Sequence, residues 1–369
     1  MLYTFLYPLH SELSFLNVLR YPSFRIIMAA LTALVVTLFL YPPLIRRLQI
    51  FKFGQEVRKD GPEAHLKKQG TPTMGGVLIL IAIFVACVLW ADVRHGGIWL
   101  LLLVTLGYGA IGFYDDYKKI KYRDPAGLSG RWKLFWQLSI GGTALALYYL
   151  GYADIPFSTN ITFPFIAVDV FTLSLPAWLY LSFSLIIVLV GTSNAVNLTD
   201  GLDGLAIGPT IVSAFVFLVL AYAAGTTLAD FNIAAYLRIT HVEGAAELAI
   251  FCAAVIGAGI GFLWYNSYPA LIFMGDVGAL ALGGALGMLA IFTKNEVLSG
   301  VLHGVFLAET LSVMVQVLSF KLTGKRVFKM APIHHHFELK GWPEPRVIIR
   351  FWIMSVMLAL LALASLKLR

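Results

Sequence analysis

Charge is scarce in this chain. Asp, Glu, Lys and Arg make up 13% of its 369 residues, while 59% are hydrophobic and the mean hydropathy is +0.82. Soluble globular domains carry roughly 25% charged residues, so an ordinary water-soluble fold is excluded and an integral membrane protein is implied. Cysteine is scarcer still. Cys87 and Cys252 both lie in apolar runs, which leaves neither a disulfide framework nor a zinc site to build on. No small-residue cleavage site follows the first apolar run, 24–44; it ends in Pro42-Pro43-Leu44-Ile45-Arg46-Arg47, a stop-transfer pattern that leaves it as a helix. There is no internal repeat, low-complexity segment or appended soluble domain, so residues 1–369 read as a single integral membrane unit.

What is abundant is apolar sequence of spanning length. A bilayer core needs about 20 apolar residues per helix, and about ten such windows occur. They lie near 24–45, 73–91, 98–114, 133–151, 173–193, 204–223, 246–264, 271–292, 300–320 and 348–367. The fold class predicted is an all-α polytopic membrane protein of about ten transmembrane helices. A small external β-hairpin is expected between Ala153 and Leu175, where partial alternation is punctuated by Pro and Asn. Gly257/Gly261 and Gly283/Gly287 have the spacing of close helix packing.

The net charge of +7 does not signal nucleic acid, because the basic residues fall in blocks beside apolar spans. The connections 46–72, 115–133 and 321–350 hold 20 of the 27 Lys and Arg. With ten spans these connections share one face, which the positive-inside rule makes cytoplasmic, and both termini are then periplasmic. Two further connections on that face, near 194–203 and 265–276, carry no Lys or Arg but contain Asp200, Asp203 and Asp276.

Every motif with chemical potential lies on this face. Asp115-Asp116 follows Gly112-Phe113-Tyr114, with Lys118 and Lys119 immediately after. Adjacent carboxylates repel and favour a cation between them, although a helix-end anchor beside a basic loop has the same sequence. Asp200-Gly201-Leu202-Asp203-Gly204 puts two acids three apart, with Asn194 and Asn197 preceding at the same spacing. One helix cap explains Asp200 alone, but two acids and two amides exceed what a cap needs. Asn266 and Phe273-Met274-Gly275-Asp276 add a carboxylate at similar depth, which suits Mg²⁺ chemistry or a second cap.

His334-His335-His336 lie between Pro332 and Pro343, read as a loop rather than a long helix. Contiguous imidazoles diverge, so one shared zinc is disfavoured; with Lys325, Arg326, Lys329 and Lys340 nearby they suit phosphate oxygens. Lys67-Lys68-Gln69-Gly70-Thr71-Pro72 opens the second span and suits an anion, though it is not a Walker loop and a solvated basic loop would read alike. Glu309 stands alone in the ninth span; pairing inside the bundle and bordering a lipid groove are both open.

In order and topology, the Gly70–Gly76, Asp115-Asp116, Asn197–Gly204, Phe273–Asp276 and Pro332–Glu338 motifs closely resemble the bacterial phospho-N-acetylmuramoyl-pentapeptide transferase family, nearly end to end. The resemblance implies transfer of phospho-MurNAc-pentapeptide from UDP-MurNAc-pentapeptide to undecaprenyl phosphate, giving lipid I and UMP with Mg²⁺, at the cytoplasmic face of the bacterial inner membrane. It implies Asp276 as the Mg²⁺ ligand, Asp115 and Asp116 as groups that orient the lipid phosphate or act as base, and His334, His335 and His336 as contacts to the pyrophosphate or sugar. Asp200, Asp203, Asn266 and Phe273 would hold the uridine, with Lys68 near the nucleotide. Thr71, Lys119, Arg131, Asn194, Asn197 and Gly201 complete the expected substrate-binding set. Direct attack is the expected mechanism, with a covalent aspartyl intermediate as the alternative; a homodimer is left open. Two other readings are a related polyprenyl-phosphate GlcNAc-1-phosphate transferase, against which the triple histidine argues, and a transporter, whose acids would lie near mid-bilayer.

Overall fold

The computed structural model describes residues 1–50, 70–122, 127–228 and 231–368. Ten long helices cover them: α1 (Pro22–Ile50), α2 (Gly76–Trp90), α3 (Gly96–Tyr122), α4 (Gly130–Tyr149), α5 (Ala177–Thr199), α6 (Ile207–Gly225), α7 (Ala245–Asn266), α8 (Gly275–Phe292), α9 (Gly304–Thr323) and α10 (Glu344–Ala364). All but α2 and α4 are long and apolar enough to cross a membrane. At 1.5 Å per residue α2 reaches about 22 Å, and α4 carries Arg131, Lys133 and Gln137 near its start. Each helix falls on one of the ten windows expected from the sequence.

Burial sorts the helices into a centre and a rim. In its most apolar stretch α8 is 89% buried, whereas α1 and α9 are each 22% buried. The cause is composition: α8 is apolar on all sides and rich in Gly and Ala, so neighbouring backbones approach it closely. A Cβ on Gly283 or Gly287 would run into the backbone of α5, and one on Gly257 or Gly261 would collide with α1 at Ala30 or Thr37. Both glycine pairs pack as their spacing predicts. On α1, Ile27, Leu31, Val35 and Phe39 form an exposed apolar stripe four residues apart, while Ala29, Ala33 and Tyr41 face inward.

The expected hairpin is present, though minimal. Strands β1 (Asn160–Ile161) and β2 (Leu173–Ser174) pair antiparallel, Asn160 opposite Ser174. A second antiparallel pair, β3 (Thr227–Leu228) with β4 (Phe231–Asn232), lies between α6 and α7.

Two local expectations change. Asp115 and Asp116 lie inside α3, which continues one and a half turns past them to Tyr122, and not in a connection. The three histidines sit on a short helix, Ile333–Glu338, not in a loop; Pro332 at its N-cap sets the chain entering it. Successive helical residues point about 100° apart, yet the rings of His334 and His335 lie against each other, tilted, with centroids 4.1 Å apart.

Candidate active site

Asp115, Asp116 and Asp276 meet where α3 crosses the start of α8. Gly112 permits the crossing: a Cβ there would collide with the backbone of Asp276 and Val277. Gly275, at φ +73°, turns the chain into α8 against Asp116, where a Cβ would strike the carboxylate. One ligand oxygen from each of the three Asp residues lies within 4.8 Å of the others. Three carboxylates offer only oxygen donors, which fits a hard divalent cation such as Mg²⁺ and not a soft metal.

The bland readings of these acids fail. A membrane-edge anchor would project into water, but Asp115 and Asp116 are buried. The helix-cap reading fails for Asp276, since α8 has Met274 at its N-cap with no side-chain cap bond; instead the Val277 N–H donates to Asp116 Oδ2 at 3.3 Å. It fails for Asp200 too, because α6 starts only at Ile207 with Ala206 at its N-cap.

Two ammonium groups stand among the carboxylates. Lys119 Nζ is 2.5 Å from Asp115 Oδ2, 3.3 Å from Asp276 Oδ2 and 3.6 Å from Asp116 Oδ1. Lys133 Nζ is 2.6 Å from Asp276 Oδ2 and 2.9 Å from Asp115 Oδ2. The Leu128 N–H donates to Asp115 Oδ1 at 2.6 Å, drawing the start of α4 onto the site. Three carboxylates against two lysines leave formal negative charge for a cation, with cations in reach of phosphate oxygens.

A second group surrounds the turn after α5. Asp203 Oδ2 accepts from the Ala270 N–H at 3.0 Å, its own N–H donates to Glu344 Oε1 at 3.0 Å, and Gly204 O accepts from Trp352 Nε1 at 3.1 Å. Asn266 Nδ2 donates to Ile272 O at 2.8 Å, while its buried Oδ1 has no protein partner among the described residues. Burial, reinforced by Asp276, Asp116 and Asp203, pushes the Asp200 carboxyl up to about 8, so near neutrality it can donate a hydrogen bond as well as accept one. Phe273 is half-buried; its N–H donates to Pro72 O and its O accepts from the Gly75 N–H, both at 2.8 Å. Its backbone is thereby committed and its ring is left partly open.

His335 and His336 are hydrogen-bonded at Nδ1, while His334 Nδ1 stands beside a carboxylate. His334 Nδ1 is 3.1 Å from Glu309 Oε2, His335 Nδ1 is 2.8 Å from Glu338 Oε2, and His336 Nδ1 accepts from the Lys329 N–H at 3.0 Å. His334 is fully buried, the other two partly. Burial, with Lys340 and Lys329 nearby, holds His336 below the ordinary imidazole value, hence neutral near pH 7.

Of the residues expected from sequence, Asp115, Asp116, Lys119 and Asp276 converge, and Asp200, Gly201, Asp203, Asn266 and Phe273 lie around adjoining turns. Asn194 is turned to packing, donating to Gln137 Oε1 at 3.0 Å and Val190 O at 2.9 Å. Asn197 and Thr71 are half-buried nearby in sequence, and Arg131 is exposed. Lys68 lies outside the described residues. Lys133 is the residue that sequence reasoning missed. Its signal was the pair Lys133 and Gln137, four residues apart on one face of a largely apolar helix.

Comparisons with known proteins agree with this architecture. A family profile described as Glycosyl transferase family 4 matches residues 98–294, and phospho-N-acetylmuramoyl-pentapeptide-transferase signature 1 matches residues 68–80. The phospho-N-acetylmuramoyl-pentapeptide-transferase of Anaeromyxobacter sp. (strain Fw109-5) is 58% identical over 385 aligned positions, covering 100% of both chains. Proteins of the same name from Sorangium cellulosum (strain So ce56) and Syntrophus aciditrophicus (strain SB) are each 56% identical over the full length of both chains. Identity at this level along the whole chain places the protein in the phospho-N-acetylmuramoyl-pentapeptide-transferase family.

Proposed function

We propose that this chain transfers phospho-MurNAc-pentapeptide from UDP-MurNAc-pentapeptide to undecaprenyl phosphate at the cytoplasmic face of the inner membrane, yielding lipid I and UMP. The observation that carries the reading is the convergence of Asp115, Asp116 and Asp276 with Lys119 and Lys133. Both substrates are phosphates, and purely acidic walls would repel them. Lysines interleaved with carboxylates supply the cations that a phosphoryl transfer needs.

Asp276, with Asp115 and Asp116, would hold Mg²⁺, which when bound screens charge and polarises the phosphoryl oxygen. An oxygen of the lipid phosphate attacks the β-phosphorus; the bond to the bridging oxygen breaks and UMP leaves with its electron pair. The nucleophile is already ionised at neutral pH, so no base is required to activate it. Lys119 and Lys133 orient the phosphates, Asn266 Oδ1 and the Phe273 ring receive the uridine, and His335 and His336 meet the sugar-phosphate side. An apolar cleft of about 370 Å³, lined by Val77, Leu80, Phe84, Leu106, Ala110 and Phe113, offers a lipid chain a bed close to Asp115.

The test is UMP release by purified protein in detergent. Release from UDP-MurNAc-pentapeptide that requires both undecaprenyl phosphate and Mg²⁺ is expected. Release from UDP-GlcNAc in its place would move the chain to the GlcNAc-1-phosphate branch.

A further inference from the structure

Glu309 is a carboxylate in the interior of α9, a helix otherwise turned largely to lipid, and it is fully buried. A buried carboxylate is strongly disfavoured unless it is partnered. Its Oε2 lies 3.1 Å from His334 Nδ1 and 3.4 Å from the His334 backbone N, so it engages both the ring and the first turn of the histidine helix. On the opposite side the His334 ring touches the turn after α5: a Cβ on Gly201 would collide with Nε2. The imidazole is therefore wedged between Glu309 and the Asp200-Gly201 backbone.

The turn has two ends with different supports. Its Asp203-Gly204 end is tied to Ala270, Glu344 and Trp352 by three hydrogen bonds, whereas its Gly201 end rests on His334. Glu309 accepts from the His334 backbone N–H and stands beside Nδ1 of its ring, so its loss would free both.

We propose that Glu309 is a positioning residue for nucleotide binding, acting through His334 on Gly201 to hold the Asp200–Asp203 turn in its ligand-ready shape. The inference rests on the proposed function's assignment of that turn to the uridine. It joins a residue of α9 to the nucleotide side of the site, and it predicts an effect on one substrate and not the other.

UMP binding to the purified protein by calorimetry, together with KM for each substrate, provides the test. Glu309→Ala should weaken UMP and raise the UDP-substrate KM by about 10- to 100-fold, the scale of a lost buried charged hydrogen bond, while the lipid-phosphate KM changes less than about twofold. Glu309→Gln retains an oxygen to accept from the His334 backbone N–H and keeps the side-chain volume, so it should recover most of the loss. The ring ¹⁵N shifts of His334 should change in Glu309→Ala, because the ring loses the carboxylate beside Nδ1. Gly201→Ala presses on the same ring from the other side, so it should disturb the same ¹⁵N signals and be non-additive with Glu309→Ala. Should Glu309→Ala fail to fold, Glu309→Gln and Gly201→Ala carry the test alone. Unchanged UMP affinity in Glu309→Ala or in Gly201→Ala, or equal losses for both substrates, would overturn this inference only; a wild type that binds no UMP would overturn the proposed function with it.

Discussion

Asp276 bears two lysine contacts and sits within reach of two further carboxylates, so its charge matters more than its volume. Asp276→Asn keeps the volume and removes the charge, and an amide oxygen is a far weaker Mg²⁺ ligand than a carboxylate. Turnover should fall about 100-fold or more without recovery at high Mg²⁺, and the melting temperature should stay near the wild-type value; near-wild-type turnover would refute the assignment. Phe273 is tested separately. With its backbone paired to Pro72 and Gly75, Phe273→Ala should leave the turn in place and remove only the ring, where base stacking is worth roughly 1–3 kcal/mol. UDP-substrate affinity should drop about 5- to 150-fold and lipid-phosphate affinity little, with Phe273→Trp close to wild type. Equal losses for both substrates with a lower melting temperature would instead show a packing role. The acids at this scale were legible because a carboxylate in an apolar chain needs a reason. Lys133 was not, since a lysine beside a basic connection satisfies the positive-inside rule without further explanation, and only folding shows its Nζ 2.6 Å from Asp276.

Glycine decides how the elements meet. Gly112 on α3 faces the backbone of α8 at Asp276, a neighbour that cannot give way, while Gly107 on the same helix faces the Ile140 side chain, whose Cγ2 would lie 2.8 Å from an added Cβ. Gly112→Ala should therefore push α3 off α8, separate Asp115 and Asp116 from Asp276, and abolish most activity. Gly107→Ala should retain more activity than Gly112→Ala, because it presses on a side chain far from Asp276 and not on the backbone that carries that carboxylate. Similar activities in the two variants would mean that the carboxylate geometry does not depend on this crossing. The spans themselves were readable from hydropathy, since length and apolarity are local properties. Helix ends were harder: α3 runs on through Asp115, Asp116 and Lys119 to Tyr122 because those charges are neutralised by partners on α4 and α8, which no local window contains. The same holds for Glu309, whose partner His334 is 25 residues away.

Across the whole molecule, the chemistry gathers at one end of the bundle. The starts of α2, α4, α6 and α8 and the ends of α3, α5 and α7 meet there, together with the histidine helix. Among the described residues that end carries Arg46, Arg47, Lys118, Lys119, Lys121 and Lys133, and under the positive-inside rule the proposed function has it face the cytoplasm. The hairpin of β1 and β2 lies at the other end. Thiol labelling in intact and opened cells tests the orientation with little background, since Cys87 and Cys252 are both buried. Lys325→Cys, exposed just after α9, should react with a membrane-impermeant maleimide only after the cells are opened. Asn160→Cys, exposed on β1, should react in intact cells. Activity bears on the result, because UDP-sugars are made in the cytoplasm and the site must open where its nucleotide substrate is found. The opposite labelling pattern would place the carboxylates and lysines on the face that UDP-sugars do not reach, and the proposed donor would then have to be abandoned along with the topology.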